Sequence, residues 1–358
     1  MSTVIPDSDP TAAVLRPSLT AAELGFDPNA LDAYLRAHVA HVDGEMEITP
    51  IAGGQSNPTY FVTYPEARLV LRKRPAGPVL PSAHSVDREY RIMQALAVTD
   101  VPVPKVLAYC ARPEVIGTPF YVMERLEGRV FADCSLPGVS PADRRAMYFD
   151  MADTLARLHQ VDWKVLGLTD YGREGNFFGR QIGRWTKQWE LSKTRDLPDI
   201  DRLVQWLPLN VPPDELTTIA HGDFRIGNLM FHPTEPRVAG VLDWELSTLG
   251  HPLADLAFSA LAWRLLPTEY MGMRGLDHAG LGIPSDSQYL SRYYATFPGA
   301  GRAAPFHVVF SLFRLAVIFE GIAARARSGT AISANAAQTG EMAAGFARRA
   351  IQTIEGIF

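Results

Sequence analysis

The chain has 358 residues, 47% of them apolar and 20% charged, with a formal net charge of −5. That is the composition of an ordinary folded chain, and the charge balance excludes a basic nucleic-acid binder and an acidic tail. The two cysteines, Cys110 and Cys134, match no zinc or redox spacing and exclude a disulfide framework, so buried or half-buried thiols in a reducing compartment are expected.

The length favours two lobes over one. Residues 1–26 are Pro-rich and weakly periodic, with no charged-then-apolar signal pattern, and read as a loose arm. Asp27-Pro28 then supplies an N-cap and a first-turn proline. Leu31, Tyr34, Leu35, His38 and Val39 follow at helical spacing, which predicts a helix over 28–42.

From Glu45 to Arg74 the texture is that of strands, with candidates at 46–54, 57–65 and 67–75. The turn after the first contains Gly53, Gly54, Gln55, Ser56 and Asn57, whose backbone N–H groups suit phosphates or simply close a hairpin. In the third strand Leu69, Leu71 and Lys73 alternate with Val70, Arg72 and Arg74. Arg72 either snorkels to solvent or points to a ligand and holds a phosphate. A helix is expected over 85–98, with Val86, Tyr90, Met93 and Ala97 on its apolar face. Glu89 lies beside that face, as part of a solvated charge cluster or as the ion-pair partner of a phosphate-binding base. Strands at 101–110 and 118–126 complete five by residue 126. A linker over 127–139, with Gly128, Pro137 and Gly138, marks the expected boundary.

The remainder is expected to be mainly helical. Ser140-Pro141-Ala142-Asp143 opens a helix to about residue 160 that buries Met147, Met151, Leu155 and Leu158. Residues 163–215, with Trp163, Trp185, Trp189 and Trp206, suggest helical pieces joined by long loops. Residues 252–265 and about 285–297, 304–328 and 336–356 are further helices. The most apolar stretch, Phe306 to Ala324, is interrupted by His307, Arg314 and Glu320 and reads as a buried helix, not a membrane span. Cytoplasm is the default expectation.

Two short apolar runs, Leu229 to Phe231 and Val238 to Leu242, flank a turn with His232, Pro233, Thr234 and Pro236. Asp223 and Asn228 precede the first run and Asp243 follows the second. A hairpin gathers two carboxylates and an amide around one point, the donor set that a magnesium-dependent phosphoryl transfer needs.

These segments resemble the aminoglycoside phosphotransferase family, of protein-kinase-like fold. The match lies in His221-Gly222-Asp223 with Asn228, in Leu242-Asp243-Trp244-Glu245, and in Gly250 through Ala257. Gly53 to Tyr60, Val70-Leu71-Arg72-Lys73 and Leu80 to His84 carry a narrower resemblance to the kinase-like domain fused to certain acyl-CoA dehydrogenases. The resemblance covers about residues 45–260 and implies an α+β, bilobal fold. A nucleotide-binding lobe of five antiparallel strands with one key helix spans 45–126, after an arm and helix at 1–44, and a hinge at 127–139 leads to a helical lobe at 140–358.

The implied activity is ATP- and Mg2+-dependent transfer of a phosphoryl group to a small-molecule hydroxyl. Asp223 is the expected base, and Arg225 either stabilises transition-state charge or orders the backbone. Asn228 and Asp243 are the expected metal ligands. Gly53, Gly54, Ser56 and Asn57 are expected at the phosphates, Arg72 as the phosphate-binding base ahead of Lys73, and Glu89 as its partner. Met123 precedes the implied adenine hinge, at Glu124 and Leu126. Asp255 and His221 are implied to order the catalytic loop, and His251 stands where many relatives carry an acid.

Asp243 and Asp255 are too close in sequence to leave room for an activation segment, which favours a small molecule over a protein acceptor. Residues 301–358 hold six Arg and three Glu, which leans toward a neutral or anionic alcohol, such as the hydroxyacyl-CoA substrates of the fused relatives, and away from a polycationic antibiotic. An aminoglycoside kinase and a catalytically silent nucleotide-binding protein are the alternatives. No nucleic-acid, membrane or protein partner is expected.

Overall fold

The structure is a computed structural model that describes residues 20–51, 57–77, 85–329 and 335–357. In chain order its elements begin with α1 (Ala21–Leu24), α2 (Pro28–His38), β1 (Glu47–Pro50), β2 (Thr59–Thr63), β3 (Arg68–Lys73), α3 (Val86–Leu96), β4 (Val106–Cys110), α4 (Pro113–Ile116) and β5 (Phe120–Glu124). There follow β6 (Arg129–Val130), α5 (Pro141–Gln160), α6 (Phe177–Ser192), α7 (Pro198–Leu209), β7 (Thr218–Ala220), β8 (Leu229–Phe231), β9 (Val238–Val241) and β10 (Thr248–Gly250). The chain closes with α8 (Pro252–Ala260), α9 (His278–Leu281), α10 (Asp286–Thr296), α11 (Pro305–Arg327), α12 (Ala336–Gly340) and α13 (Met342–Ile354). Two compact units divide the chain: residues 1–84 with 107–123, and residues 85–106 with 124–358.

The first unit is built on a sheet of order β1-β2-β3-β5-β4. β2 pairs antiparallel with β1 and with β3, with Tyr60 opposite Leu71 and Thr59 opposite Arg72. Alternation along β3 puts Leu69 and Leu71 into a core with Val62, Phe120 and Val122, and α2 adds Leu31, Tyr34 and Leu35 to it. Residues 20–26 are not a loose arm. Thr20 and Glu23 form a reciprocal capping box on α1, and Leu24 and Phe26 are buried in the same core. The helix expected over 28–42 stops at His38, beyond which Val39 is extended. The Gly53, Gly54 and Ser56 of the Gly-rich turn lie outside the described residues.

The second unit opens with α3. Its buried face is Val86, Glu89, Ile92, Met93 and Leu96, so the expected stripe is rotated: Tyr90 is half-buried and Ala97 exposed. Glu89 belongs to the face rather than lying beside it. Arg88 fastens α3 within the unit. It donates to the carbonyls of Tyr171 (2.7 Å) and Ser247 (3.2 Å), and its guanidinium lies 4.1 Å from the Tyr171 ring centroid. α5 follows as expected, with Ser140 Oγ accepting from the Asp143 N–H and Met147, Met151, Leu155 and Leu158 buried.

The segment 127–139 is more than a linker, because Arg129 and Val130 pair with Phe231 and Met230 of β8. Gly128 makes that crossing: a Cβ there would lie 2.4 Å from the Phe231 carbonyl oxygen. The β8–β9 hairpin forms with an irregularity at Met230/Phe231. β7 and β10 pair antiparallel on either side of it. The ambiguous stretch 163–215 resolves into α6 and α7, and the terminal helix breaks after Gly340, whose Cβ would meet the α11 backbone at Ala323.

A large core joins α6, α7, α8, α11 and α13. Among the described residues α11 is long and apolar enough to cross a membrane, but most of it is buried inside the protein, as in a core helix. Cys110 and Cys134 are both free and buried, and burial pushes the Cys134 thiol up to about 12.

Candidate active site

The β7–β10 ladder and the β8–β9 hairpin present one loop, 221–228, and one strand end, 242–243. Leu242 N–H donates to the Asn228 carbonyl (2.8 Å), so the end of β9 is fixed beside the start of β8. Asp243 follows in the left-handed region at φ 63°, a strain of order 1–3 kcal/mol for a residue with a Cβ. Trp244 secures that turn through its indole N–H, which donates to the Val241 carbonyl (2.9 Å).

Asp223 is half-buried. Its Oδ2 accepts from Asn228 Nδ2 at 2.7 Å and from Arg225 Nε at 3.3 Å. Asn228 also donates to the Asp223 carbonyl at 2.8 Å. With Nδ2 committed to Asp223, the Asn228 carbonyl oxygen is the atom suited to a cation. Arg225 lies 5.5 Å from the Tyr270 ring centroid. Burial pulls the Arg225 pKa down, but Tyr270, Asp223 and Asp243 together carry it above its usual value. Burial, reinforced by Asp223, pushes the Tyr270 phenol up to about 12.

Beneath this loop lies a buried floor. Asp255, at the start of α8, accepts from the His221 N–H (2.6 Å) and the Gly222 N–H (3.0 Å). His159 of α5 lies 3.5 Å from the same carboxylate and bonds Tyr293 through Nδ1 at 2.7 Å. Burial alone would raise the Asp255 pKa, yet His159, His221 and the Gly222 amide hold it below the usual carboxylate range. His221 completes the loop: Nε2 bonds the Leu242 carbonyl (2.9 Å) and Nδ1 accepts from the Asp223 N–H (3.2 Å). His221 and Asp255 thus bond backbone, as the sequence implies. Gly222 sits at φ 85°, and a Cβ on it would lie 2.7 Å from the Leu246 carbonyl oxygen.

The structure therefore brings together Asp223, Arg225, Asn228 and Asp243. Glu89, 1% exposed, is in the same compact unit as these four. Glu124 spends its N–H on the Lys105 carbonyl and its carboxylate on the Lys105 N–H, both at 2.9 Å, and the Leu126 side chain packs on Gly240 of β9. In the first unit, Asn57 is buried and Met123 is half-buried. Lys73 is on the core face of β3 with Leu69 and Leu71, its Nζ 5.1 Å from the Phe26 ring centroid, and burial lowers its pKa. Arg72 is on the opposite face with Val70, as the alternation predicts. Sequence reasoning missed Tyr270, His159 and Arg314. Only Arg314 left a signal, as a charge in the middle of an apolar stretch.

A five-stranded sheet, followed by a helical body that carries this Asp–Asn–Asp constellation, is the α+β, bilobal, kinase-like phosphotransferase fold. A profile described as "Phosphotransferase enzyme family" matches residues 47–281, and the chain belongs to that family. It is 44% identical to mouse acyl-CoA dehydrogenase family member 10 over 89% of its length and 30% of that protein's. It is 41% identical to human acyl-CoA dehydrogenase family member 11 over 84% of its length and 39% of that protein's. The chain thus spans only 30% to 39% of the length of these relatives. A Ralstonia eutropha crystal structure, provisionally called an aminoglycoside phosphotransferase, superposes with a TM-score of 0.80 at 45% identity, covering 90% of this chain and 99% of that one. A mutant aminoglycoside phosphotransferase in ternary complex with AMP-PNP and hygromycin B shares the fold, with a TM-score of 0.61 at 15% identity over 91% of this chain and 99% of that one.

Proposed function

We propose that the protein is an ATP- and Mg2+-dependent kinase that phosphorylates a hydroxyl of a neutral or anionic small molecule. The observation that carries this reading is the placement of Asp223, Asn228 and Asp243. Asp223 is held by side chains rather than backbone, so its carboxylate is able to exchange Arg225 or Asn228 for an incoming hydroxyl. It then orients that hydroxyl and takes its proton late in the transfer. Asp243 and the Asn228 carbonyl oxygen are hard donors of the kind magnesium takes, and they are the groups that would hold it. When bound, the ion neutralises charge on the transferred phosphoryl group. Arg225 adds a cation beside Asp223.

In the first unit, Arg72 is the better candidate for a phosphate contact, because Lys73 faces the apolar core. Gly53, Gly54, Ser56 and Asn57 are proposed at the phosphates and Glu89 as a partner for the phosphate-binding base. Met123, Glu124 and Leu126 are proposed at the adenine, through backbone groups for the last two.

The C-terminal arginines as a group do not support an anionic acceptor. Arg349 pairs with Glu269 (2.7 Å), Arg327 bonds the Thr194 carbonyl (2.6 Å), and Arg302 lies over Tyr294. What supports it is local: Asp223 is attended by Arg225 and Tyr270, with Arg314 behind, where a polycation needs acids. The acyl-CoA dehydrogenase relatives make a hydroxyacyl-CoA thioester the first acceptor to try. The test is an ATP-consumption screen over hydroxyacyl-CoAs, sugars, amino alcohols and aminoglycosides. Turnover of hydroxyacyl-CoAs or other uncharged or anionic alcohols is expected. Preferred turnover of aminoglycosides would overturn the acceptor class, and no turnover of any of them would favour a silent nucleotide-binding protein.

A further inference from the structure

α11 is a core helix whose middle is apolar except for Arg314, Glu320 and two small or neutral polar residues. Glu320 has a visible partner, since Arg195 bonds it at 3.1 Å. Arg314 is 9% exposed and, among the described residues, forms no ion pair. Its guanidinium lies 4.7 Å from the Phe258 ring centroid, its Nη2 donates to the Gly222 carbonyl, and its Nε has no hydrogen-bond partner among the described residues. A buried cation with an unspent donor costs stability and is not kept for packing alone.

The carbonyl it grips belongs to the peptide that leads directly into Asp223. The opposite edge of the same turn is held by Asp255, which takes the His221 and Gly222 N–H groups. An anion from α8 therefore pulls on the amides while a cation from α11 pulls on the carbonyl. Between them Gly222 is at φ 85° with no room for a Cβ, so the two charges hold the peptides on either side of Gly222, and the Gly222–Asp223 peptide is itself held by Arg314 at its carbonyl and by His221 Nδ1 at its N–H.

We infer that Arg314 is a positioning residue: it fixes the peptide before Asp223 and so keeps the Asp223 carboxylate aimed at the reacting hydroxyl. The catalytic half of this inference rests on the phosphotransferase reading; the structural half does not. Arg314 touches no reacting atom, so its removal acts on the rate and not on nucleotide affinity.

The experiment uses the full chain with Arg314→Met and Arg314→Lys, Mg·ATP as substrate and water as acceptor, read as ADP release. Amide exchange at residues 221–223 is followed in parallel. Arg314→Met is expected to lower kcat roughly 10²-fold, the cost of a small misplacement, with the KM for ATP within about twofold. Arg314→Lys, which keeps a donor, is expected to recover about tenfold of that loss. Exchange should quicken at 221–223 while the centres of α8 and α11 stay protected. A kcat within about twofold of wild type, or faster exchange spread evenly over α8 and α11, would overturn the inference. If the wild type releases no ADP with water, the kinetic arm is run with the acceptor that the ATP-consumption screen identifies; if the screen identifies none, the catalytic half falls with the phosphotransferase reading, and the exchange arm alone decides the clamp. If Arg314→Met does not fold, the same two readouts on Arg314→Lys decide it.

Discussion

Asp223 and Asp255 belong to one segment and end in opposite surroundings. Asp255 is 1% exposed, and its oxygens are taken by two backbone amides with His159 alongside. Asp223 is half-buried, and its bonded oxygen is held by the side chains of Asn228 and Arg225. Backbone partners cannot leave without unfolding the turn, whereas side-chain partners can be displaced by a ligand. The difference separates a carboxylate that builds the loop from one that is available for chemistry.

The sharpest way to break this contrast is to neutralise each carboxylate in turn. Asp223→Asn preserves shape and removes the base, so turnover should fall roughly 10²–10⁴-fold. Its urea midpoint should stay near wild type, because the lost contacts are displaceable ones. Undiminished ADP formation by the variant would remove Asp223 from the mechanism. Asp255→Ala should do the reverse and act first on the fold. It strands two buried amides and His159, a loss on the order of 3–5 kcal/mol measurable as a lower urea midpoint. A variant that unfolds like wild type would show that the floor is not structural.

Gly222→Ala tests the turn between them. A side chain at φ 85° is strained, and the Cβ would meet the Leu246 carbonyl oxygen at 2.7 Å. A cost of about 1–3 kcal/mol is expected, with activity falling more than stability because the strain lands next to Asp223. Equal loss of both in melting and ADP-release assays would place Gly222 with the floor rather than with the reactive loop.

The reactive half of this contrast was legible in the sequence because it is local. Asp223, Asn228 and Asp243 lie at the ends of two short apolar runs joined by a turn, so a hairpin suffices to gather them. The five strands and α5 were equally legible from alternation and caps. Of the floor, only Asp255 and His221 were implied in advance; His159, Tyr293 and Arg314 were not, because they come from α5, α10 and α11, remote in sequence from the loop, and only tertiary packing brings them to it. The rotation of the α3 face had the same origin. Tertiary contacts with the loop after Asp243, through Arg88 and Tyr171, decide which residues of α3 turn inward.

The smallest expected effect concerns how the floor tolerates acid. His251 caps α8, with Nδ1 accepting the Leu253 N–H at 3.3 Å, and this requires that nitrogen to be unprotonated. Burial, then His307 and His159, lower its pKa to about 4, and burial does the same for His307. An unfolded histidine titrates near 6.5, so between about pH 6.5 and about pH 4 the unfolded chain binds more protons than the folded one. Stability is therefore full above that window and falls as pH drops through it. His251→Asn keeps a capping oxygen and removes one of the two titrations. The variant should be slightly less stable at neutral pH, having lost the ring that packs 5.1 Å from Phe178. Its urea midpoint should fall less steeply with acid than that of wild type. Parallel wild-type and variant curves would show that the acid sensitivity of α8 lies elsewhere than in its cap.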